Sequence, residues 1–299
     1  LDTVQSAAVG GWWRRLRFAK GRYLRAMWFN RLVYPRSKQP QYAQATTFWG
    51  ESMQVMLPAG TDIYLLGAKS HDSEMRLARY MVQTLTAGDS FLDIGAHLGY
   101  FSLLAAHLVG QTGRVVAVEA ATTTFAVLER NLAAHPQTKA LHVCIAAEEG
   151  QRIFYEFPAL YSEYNTLAAE QFDDSHWRTA NPPTATTIQA RTLTHLCTEL
   201  QLAPKLVKID VEGGEAEAIS GFVDWLQAQP LAQRPVVLLE YLAAQRHNAP
   251  HRAAAAALHA LGYAAHSLQP DGSLCPCADV ETYLQKQQID SDNIAFVCL

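Results

Sequence analysis

The chain has 299 residues, of which 49% are hydrophobic and 17% charged, with 24 basic residues against 28 acidic ones. These values describe an ordinary globular protein, large enough for one α/β domain with an extension and a sizeable core. No window approaches about 18 uninterrupted apolar residues, which excludes a spanning helix, and five cysteines without C-x-x-C spacing argue against a disulfide framework or a structural zinc site.

The first element is basic. From Trp12 to Lys38 there are nine Lys or Arg and no acid, so the rest of the chain carries 15 basic residues against 28 acidic ones, a charge of −13. Trp13, Leu16, Lys20, Tyr23 and Met27 recur at helical spacing. Three roles are open to residues 12–38. They can cap the acidic body with snorkelling arginines, lie on an anionic membrane surface, or dock a partner or carrier protein; the intramolecular role is the favoured expectation. The chain begins at Leu1 without a signal-peptide pattern and reads as a trimmed chain or a piece of a longer polypeptide. A reducing, cytoplasmic location is expected.

Pro35 and Pro40 break the helical start. SMQVML and DIYLLG read as two strands around Pro58–Ala59–Gly60. The extension is thus expected to cover residues 1–70, and the main domain residues 71–299. His71 to Leu85 is amphipathic, with Met75, Ala78, Met81, Val82 and Leu85 on one face.

A strict alternation follows: strand SFLDI, helix YFSLLAAHLV, strand RVVAVEA, helix TFAVLERNLAAH, strand ALHVCIAA, strand or hairpin arm GQRIFYEF, then a polar loop through Asn181–Pro182–Pro183. Helix TLTHLCTELQL, strand KLVKIDV, helix EAEAISGFVDWLQA, strand PVVLLEY, helix HRAAAAALHALG and strands GYAAHSLQ and NIAFVCL complete it. Alternating apolar strands and helices predict a mostly parallel sheet covered on both faces. The last strand, with no helix predicted before it, is expected as an antiparallel edge insertion.

The turn in FLDIGAHLGYFS links the first strand of this series to its helix. Its glycines, Gly95 and Gly99, do not make G-x-G-x-x-G, and G-x-x-x-x-G-K-S/T is absent. That disfavours a dinucleotide or a nucleoside triphosphate. Glu119 closes the second strand, where a carboxylate can accept bonds from a ribose diol. Asp93 ends the first strand, where it can face a cationic amino group. A nucleoside with an ammonium group and no phosphate suits S-adenosylmethionine (SAM), and a structural acid with ordinary turn glycines is the alternative.

The second motif is KLVKIDVEGGEAEAISGF, Lys205 to Phe222. Together, DIGAHLGYFS, VVAVEA, KIDVEGGE and VVLLEY resemble the FkbM-type family of SAM-dependent methyltransferases over about Phe48 to Leu299, including the acid-bearing helix start HDSEM with Glu74. His97 stands where that family often has Asn, and Ala120–Ala121 replace a common E-P pair. The resemblance implies a doubly wound seven-stranded, Rossmann-like sheet of the class I methyltransferase type. It implies methyl transfer, usually to oxygen, in secondary metabolites, sugars or peptides. The cofactor residues expected are Glu74, Asp93, Gly95, His97, Gly99 and Glu119.

Reacting groups in such a sheet sit at the carboxyl ends of the central strands. Asp210, Glu212 and Glu240 are therefore the candidate catalytic residues, and Lys208 shares a strand face with Asp210. They can act as base or positioning groups; Asp210 and Glu240 can hold a divalent cation, Mg or Mn, that acidifies a hydroxyl; or the acids only cap the Gly213–Gly214 turn. The loop from Pro158 to Pro183 is the expected lid, with aromatic Tyr161, Tyr164, Phe172 and Trp177, and Tyr164 and Asn165 are the candidate substrate contacts. The expected partner is a small-molecule acceptor, free or tethered to a carrier protein, and the acidic body disfavours nucleic acid. Transfer to nitrogen, or to a protein or lipid, remains the alternative.

Overall fold

In SFLDI the side chains alternate between two hydrophobic layers. Phe91 joins Met75, Leu103 and Leu206 on one side; Leu92 and Ile94 join Ile209, Phe222 and Val237 on the other. A strand covered on both faces needs no polar side, which is why the central strands read as nearly continuous apolar runs. The computed structural model describes residues 1–9, 19–167 and 175–298; Trp13, Leu16 and Phe172 lie outside the described residues.

Strands β1 (Gln41–Thr46) and β2 (Ser52–Leu57) form an antiparallel hairpin. Strands β3 (Ser90–Ile94), β4 (Arg114–Val118) and β5 (Thr138–Leu141) follow, then β6 (Cys144–Ile145), β7 (Gly150–Glu156) and β8 (Thr184–Arg191). The remainder are β9 (Leu206–Ile209), β10 (Val236–Leu242), β11 (Tyr263–Leu268), β12 (Leu274–Pro276) and β13 (Ser291–Cys298). The main sheet has the order β12-β11-β13-β10-β9-β3-β4-β5, and β6-β8-β7 form a small second sheet. The pairs from β10 through β5 are parallel, whereas β13 runs antiparallel to both β10 and β11. The result is the predicted seven-stranded α/β sheet with one short strand, β12, added at its edge.

Register sets up the site. Asp93 of β3 lies opposite Lys208 of β9, and Ile94 opposite Ile209, which in turn faces Leu239 of β10. The next residues along these strands, Gly95, Asp210 and Glu240, therefore emerge side by side at one sheet edge.

Several local expectations are corrected. DIYLLG is no strand: Thr61–Leu66 is a helix ended by Gly67 in the left-handed region, and β2 pairs instead with Gln41–Thr46. Ile63, Tyr64, Leu65 and Leu66 are all buried, and an all-apolar run has no period to separate helix from strand. ALHVCIAA divides between β5 and β6. The polar stretch TATTIQAR is strand β8, with Ile188 and Ala190 its buried side chains. Helix Val280–Gln287 precedes β13, which inserts between β10 and β11 rather than at the edge.

The N-terminal residues share the core of the main domain. Val4, Ala26, Phe29, Tyr34, Met53 and Leu57 belong to the same cluster as Phe91 and Leu103. No described helix is long and apolar enough to cross a membrane.

Candidate active site

The sheet edge carrying Gly95, Asp210 and Glu240 opens into a cavity of about 410 Å³. Its wall includes Glu74, Gly95, His97, Glu119, Tyr164, Asn165, Asp210, Glu212 and Glu240, which brings nine predicted site residues to one place. Gly99 and Asp93 are not on that wall. Gly99, at φ +87, starts helix Tyr100–Val109 and packs beside Leu128.

Asp93 is 1% exposed. Its Oδ2 accepts a 2.6 Å hydrogen bond from Ser102 Oγ, and its Oδ1 stands 3.8 Å from Lys208 Nζ with no hydrogen-bond partner. The structure thus points Asp93 at Lys208, a buried neighbour that supplies the cation expected of a ligand.

The bend between β3 and its helix is held by side chains from elsewhere. Glu119 Oε2 accepts from the His97 backbone N–H at 2.7 Å, and Oε1 from Ala121 N–H and Thr124 Oγ1, both at 2.9 Å. Asn131 donates to the Leu98 carbonyl at 2.8 Å and to the Gln54 carbonyl at 2.9 Å, tying the bend to β2. His97 occupies the left-handed region at φ +52, a conformation in which His and Asn are enriched among non-glycine residues. That is a physical reason why His fits a position where Asn is common. Its ring Nε2 pairs with Ser162 Oγ at 2.8 Å, and burial, then the Lys69 charge, push its pKa down to about 3. The ring is therefore neutral and fastens the bend to the segment above it.

That segment, Ala159–Tyr164, is a 3₁₀ turn. Asn165 Oδ1 accepts from Phe157 N–H at 2.7 Å, and Thr166 Oγ1 donates to the Glu212 carbonyl at 2.7 Å. Tyr161 and Tyr164 both pack against Trp177, with ring centroids 5.1 and 5.7 Å away. The lid aromatics hold one another, while Tyr164 and Asn165 also face the cavity.

The acids at the tips of β9 and β10 converge on the cavity. Asp210, Glu212 and Glu240 can each present one carboxylate oxygen within 4.8 Å of the others. Lys208 Nζ donates to Asp210 Oδ2 at 2.8 Å, so the predicted Lys–Asp pair forms; Lys208 is 3% exposed and stands 5.6 Å over the Phe101 ring. Burial would raise Asp210, but the charges of Lys208 and Lys69 and hydrogen bonds from Lys208 and Glu240 outweigh it and bring its pKa to about 2. Glu240 goes the other way: burial, then repulsion from Asp210 and Glu212, hold it well above the ordinary carboxylate range. Burial and the charges of Asp210, Glu215 and Glu163 do the same to Glu212. Asp210 is thus ionised, and Glu240 keeps its proton and shares it with Asp210. Glu212 holds the left-handed backbone at φ +46.

Lys69, Ser162, Glu163 and Arg246 also line the cavity, and the sequence reading did not single them out. Lys69 pairs with Glu74 and stands 5.9 Å over the Phe101 ring. Its one signal in the sequence is its place as the lone cation in GAKSHDSEM.

Behind the acids, Glu215 and His251 are 1% and 2% exposed and their side chains approach to 3.4 Å. Burial, the main cause in each case, raises Glu215 to about 7 and lowers His251 to about 4. The pair is therefore neutral, not ionic, between those values. A buried glutamate with a raised pKa contributes stability that is present below its unfolded pKa and is lost as pH rises through the folded value. Between pH about 4.5 and 7 this loss is on the order of 3 kcal/mol. Glu215→Gln keeps an acceptor for the Gly213 N–H and should flatten this fall, so that the variant matches or exceeds the parent in urea melts at pH 8. An unchanged pH slope in the variant would refute the assignment.

Comparison with known proteins places the site in a family. Residues 93–264 match the model described as the methyltransferase FkbM domain. No curated protein matches at a significant level. Among solved structures, precorrin-6y C5,15-methyltransferase from Geobacter metallireducens is 14% identical (75% of this chain, 87% of that chain, TM-score 0.39). The SAM-dependent O-methyltransferase from Thermotoga maritima is 12% identical (86% and 78%, TM-score 0.39). Fibrillarin from Aeropyrum pernix, solved with natively bound SAM, is 11% identical (88% and 96%, TM-score 0.41). The family match, which spans more than half of the chain, carries the assignment.

Proposed function

The chain belongs to the FkbM methyltransferase family, and on that premise we propose that it methylates an oxygen, a hydroxyl or carboxyl, of a natural product, a sugar or a carrier-tethered intermediate. SAM-dependent methyl transfer follows from the family; the oxygen acceptor is the finer reading. The observation that carries it is the convergence of Asp210, Glu212 and Glu240 within 4.8 Å on the cavity wall.

When bound, SAM supplies an electrophilic methyl group on a sulfonium. The chain's residues suit that cofactor. The cavity is in the range of small-molecule sites, Gly95 and His97 of the glycine bend line it, and Glu119 Oε2, with one hydrogen bond made, keeps a lone pair for a ribose hydroxyl. Glu74 and His97 border the same space.

An alcohol is a weak nucleophile until its proton is taken. Asp210, at about 2, has little affinity for a proton and serves as a fixed negative charge, while Glu240 holds one already. Glu212, raised in the same direction, also holds a proton at low pH; once ionised it has the proton affinity of a general base at the cavity wall. Glu212→Gln should lower turnover by about 10²–10⁴-fold and leave SAM affinity unchanged. Activity of the parent should rise with pH through a titration above the ordinary carboxylate range, a limb that the variant lacks. The assay is labelled SAM with fractionated metabolites and mass detection of a methylated product. Products methylated only on nitrogen would defeat the oxygen reading.

A second reading rests on the same three carboxylates, a donor set of hard oxygens suited to Mg²⁺ or Mn²⁺. Against it, the Lys208 ammonium already neutralises Asp210. Activity lost to a chelator and restored by Mg²⁺ or Mn²⁺ would favour the metal.

A further inference from the structure

Helix Lys20–Trp28 continues through a π-helical turn, Phe29–Val33, into Tyr34–Ser37. Its inner face buries Ala26, Phe29 and Tyr34. The step of five from Phe29 to Tyr34 matches the extra residue of the π turn, which keeps both rings on the core. Leu24, Trp28 and Leu32, four residues apart, stand on the opposite face at 63%, 55% and 52% exposure. They are three of the largest apolar side chains in contact with solvent, and they lie in one row.

Arginines flank that row. Arg25, next to Leu24, Arg31, next to Leu32, and Arg36 are all exposed. None of the ion pairs among the described residues includes them, and no acid occurs from Trp12 to Lys38. A row of leucine and tryptophan edged by uncompensated arginines has the chemistry of a helix lying in the headgroup region: the apolar side chains enter the acyl boundary, the indole sits at the interface, and the guanidinium groups reach lipid phosphates.

We propose that this face binds an anionic phospholipid surface, with the helix axis lying in the membrane plane. The charge of the rest of the chain, −13, favours the same arrangement, because an anionic surface repels the acidic remainder as a whole. The inner face of the same helix is tied to the active site. Tyr34 Oη accepts from the Leu160 N–H at 2.9 Å, and Leu160 belongs to the Ala159–Tyr164 turn whose Ser162, Glu163 and Tyr164 line the cavity.

The test is co-sedimentation of the full chain with vesicles of phosphatidylcholine alone or mixed with phosphatidylglycerol. Binding is expected only to the mixed vesicles and should weaken as salt rises. Arg25→Gln and Arg31→Gln should each lower affinity about five-fold, and the triple variant Leu24→Ser, Trp28→Ser, Leu32→Ser should abolish binding. Because all these side chains are exposed, the variants should keep the parent's melting temperature and SAM affinity, which separates lost docking from lost folding. Equal binding to both vesicle types, or binding untouched by the triple variant, would overturn the proposal. Absence of binding to either vesicle would overturn it too and leave the face to a protein partner.

Discussion

Gly95→Ala is expected to cost roughly 2–5 kcal/mol of stability and to reduce SAM affinity at least about tenfold. Gly95 has φ +76, where any L side chain is strained by about 1–2 kcal/mol. The larger effect is steric. A Cβ at this position would overlap the Asp210 carbonyl oxygen and lie 2.8 Å from the Asp210 carbonyl carbon. Both are backbone atoms, so no rotamer relieves the overlap; the tips of β3 and β9 would have to part. Those tips carry the two halves of the proposed site, and a shift between them separates the Gly95–Leu98 bend from the carboxylates. Gly262→Ala is the control, because Gly262 has a similar φ of +89 with nothing within 4 Å of its added Cβ. Urea melts and SAM titration should show Gly262→Ala paying the conformational strain alone. Equal losses in the two variants would mean that the close approach of the strands is unimportant.

Lys208→Met is the second large effect. The ammonium is the main counter-charge of Asp210 and stands near Asp93, whose Oδ1 has no hydrogen-bond partner. Removing one member of a buried charged group leaves its partners uncompensated, a loss of about 3–5 kcal/mol. The sign with pH follows from Asp210. Its folded pKa, about 2, lies below its ordinary value of 3.8, so it contributes stability that is present above 3.8 and is lost as pH falls toward 2. The parent should therefore exceed Lys208→Met most at neutral pH, and the gap should narrow in acid as the uncompensated carboxylates take protons. Adding Asp210→Asn to Lys208→Met should recover part of the stability and none of the activity. A double variant no more stable than Lys208→Met alone would remove the ion pair from the account.

The parts of the site that chain order fixes were legible in the sequence. A strand-end residue needs only the strand to be found, and Gly95, Glu119, Asp210, Glu212 and Glu240 all follow apolar runs that are unmistakable because both sheet faces are covered. What the sequence hid depends on contacts across the fold. Asp93 was expected to face a ligand; it faces Lys208, because strands β3 and β9 are neighbours in register, a pairing that spans 115 residues of chain. Lys69 enters the cavity just after helix Thr61–Leu66, whose buried run Ile63–Leu66 has no readable period. Strand β8 was missed for the opposite reason: its polar side chains hide an alternation that buries only Ile188 and Ala190. The exposed row Leu24, Trp28, Leu32 was masked by an inner face that keeps its register only through a π turn.

A crystal structure with S-adenosylhomocysteine bound tests the central claim most directly. The nucleoside is predicted along the Gly95–Leu98 bend, with its ribose hydroxyls at Glu119 and its sulfur side toward Asp210, Glu212 and Glu240. Density for the ligand away from that bend, or a ribose with no contact to Glu119, would contradict the account.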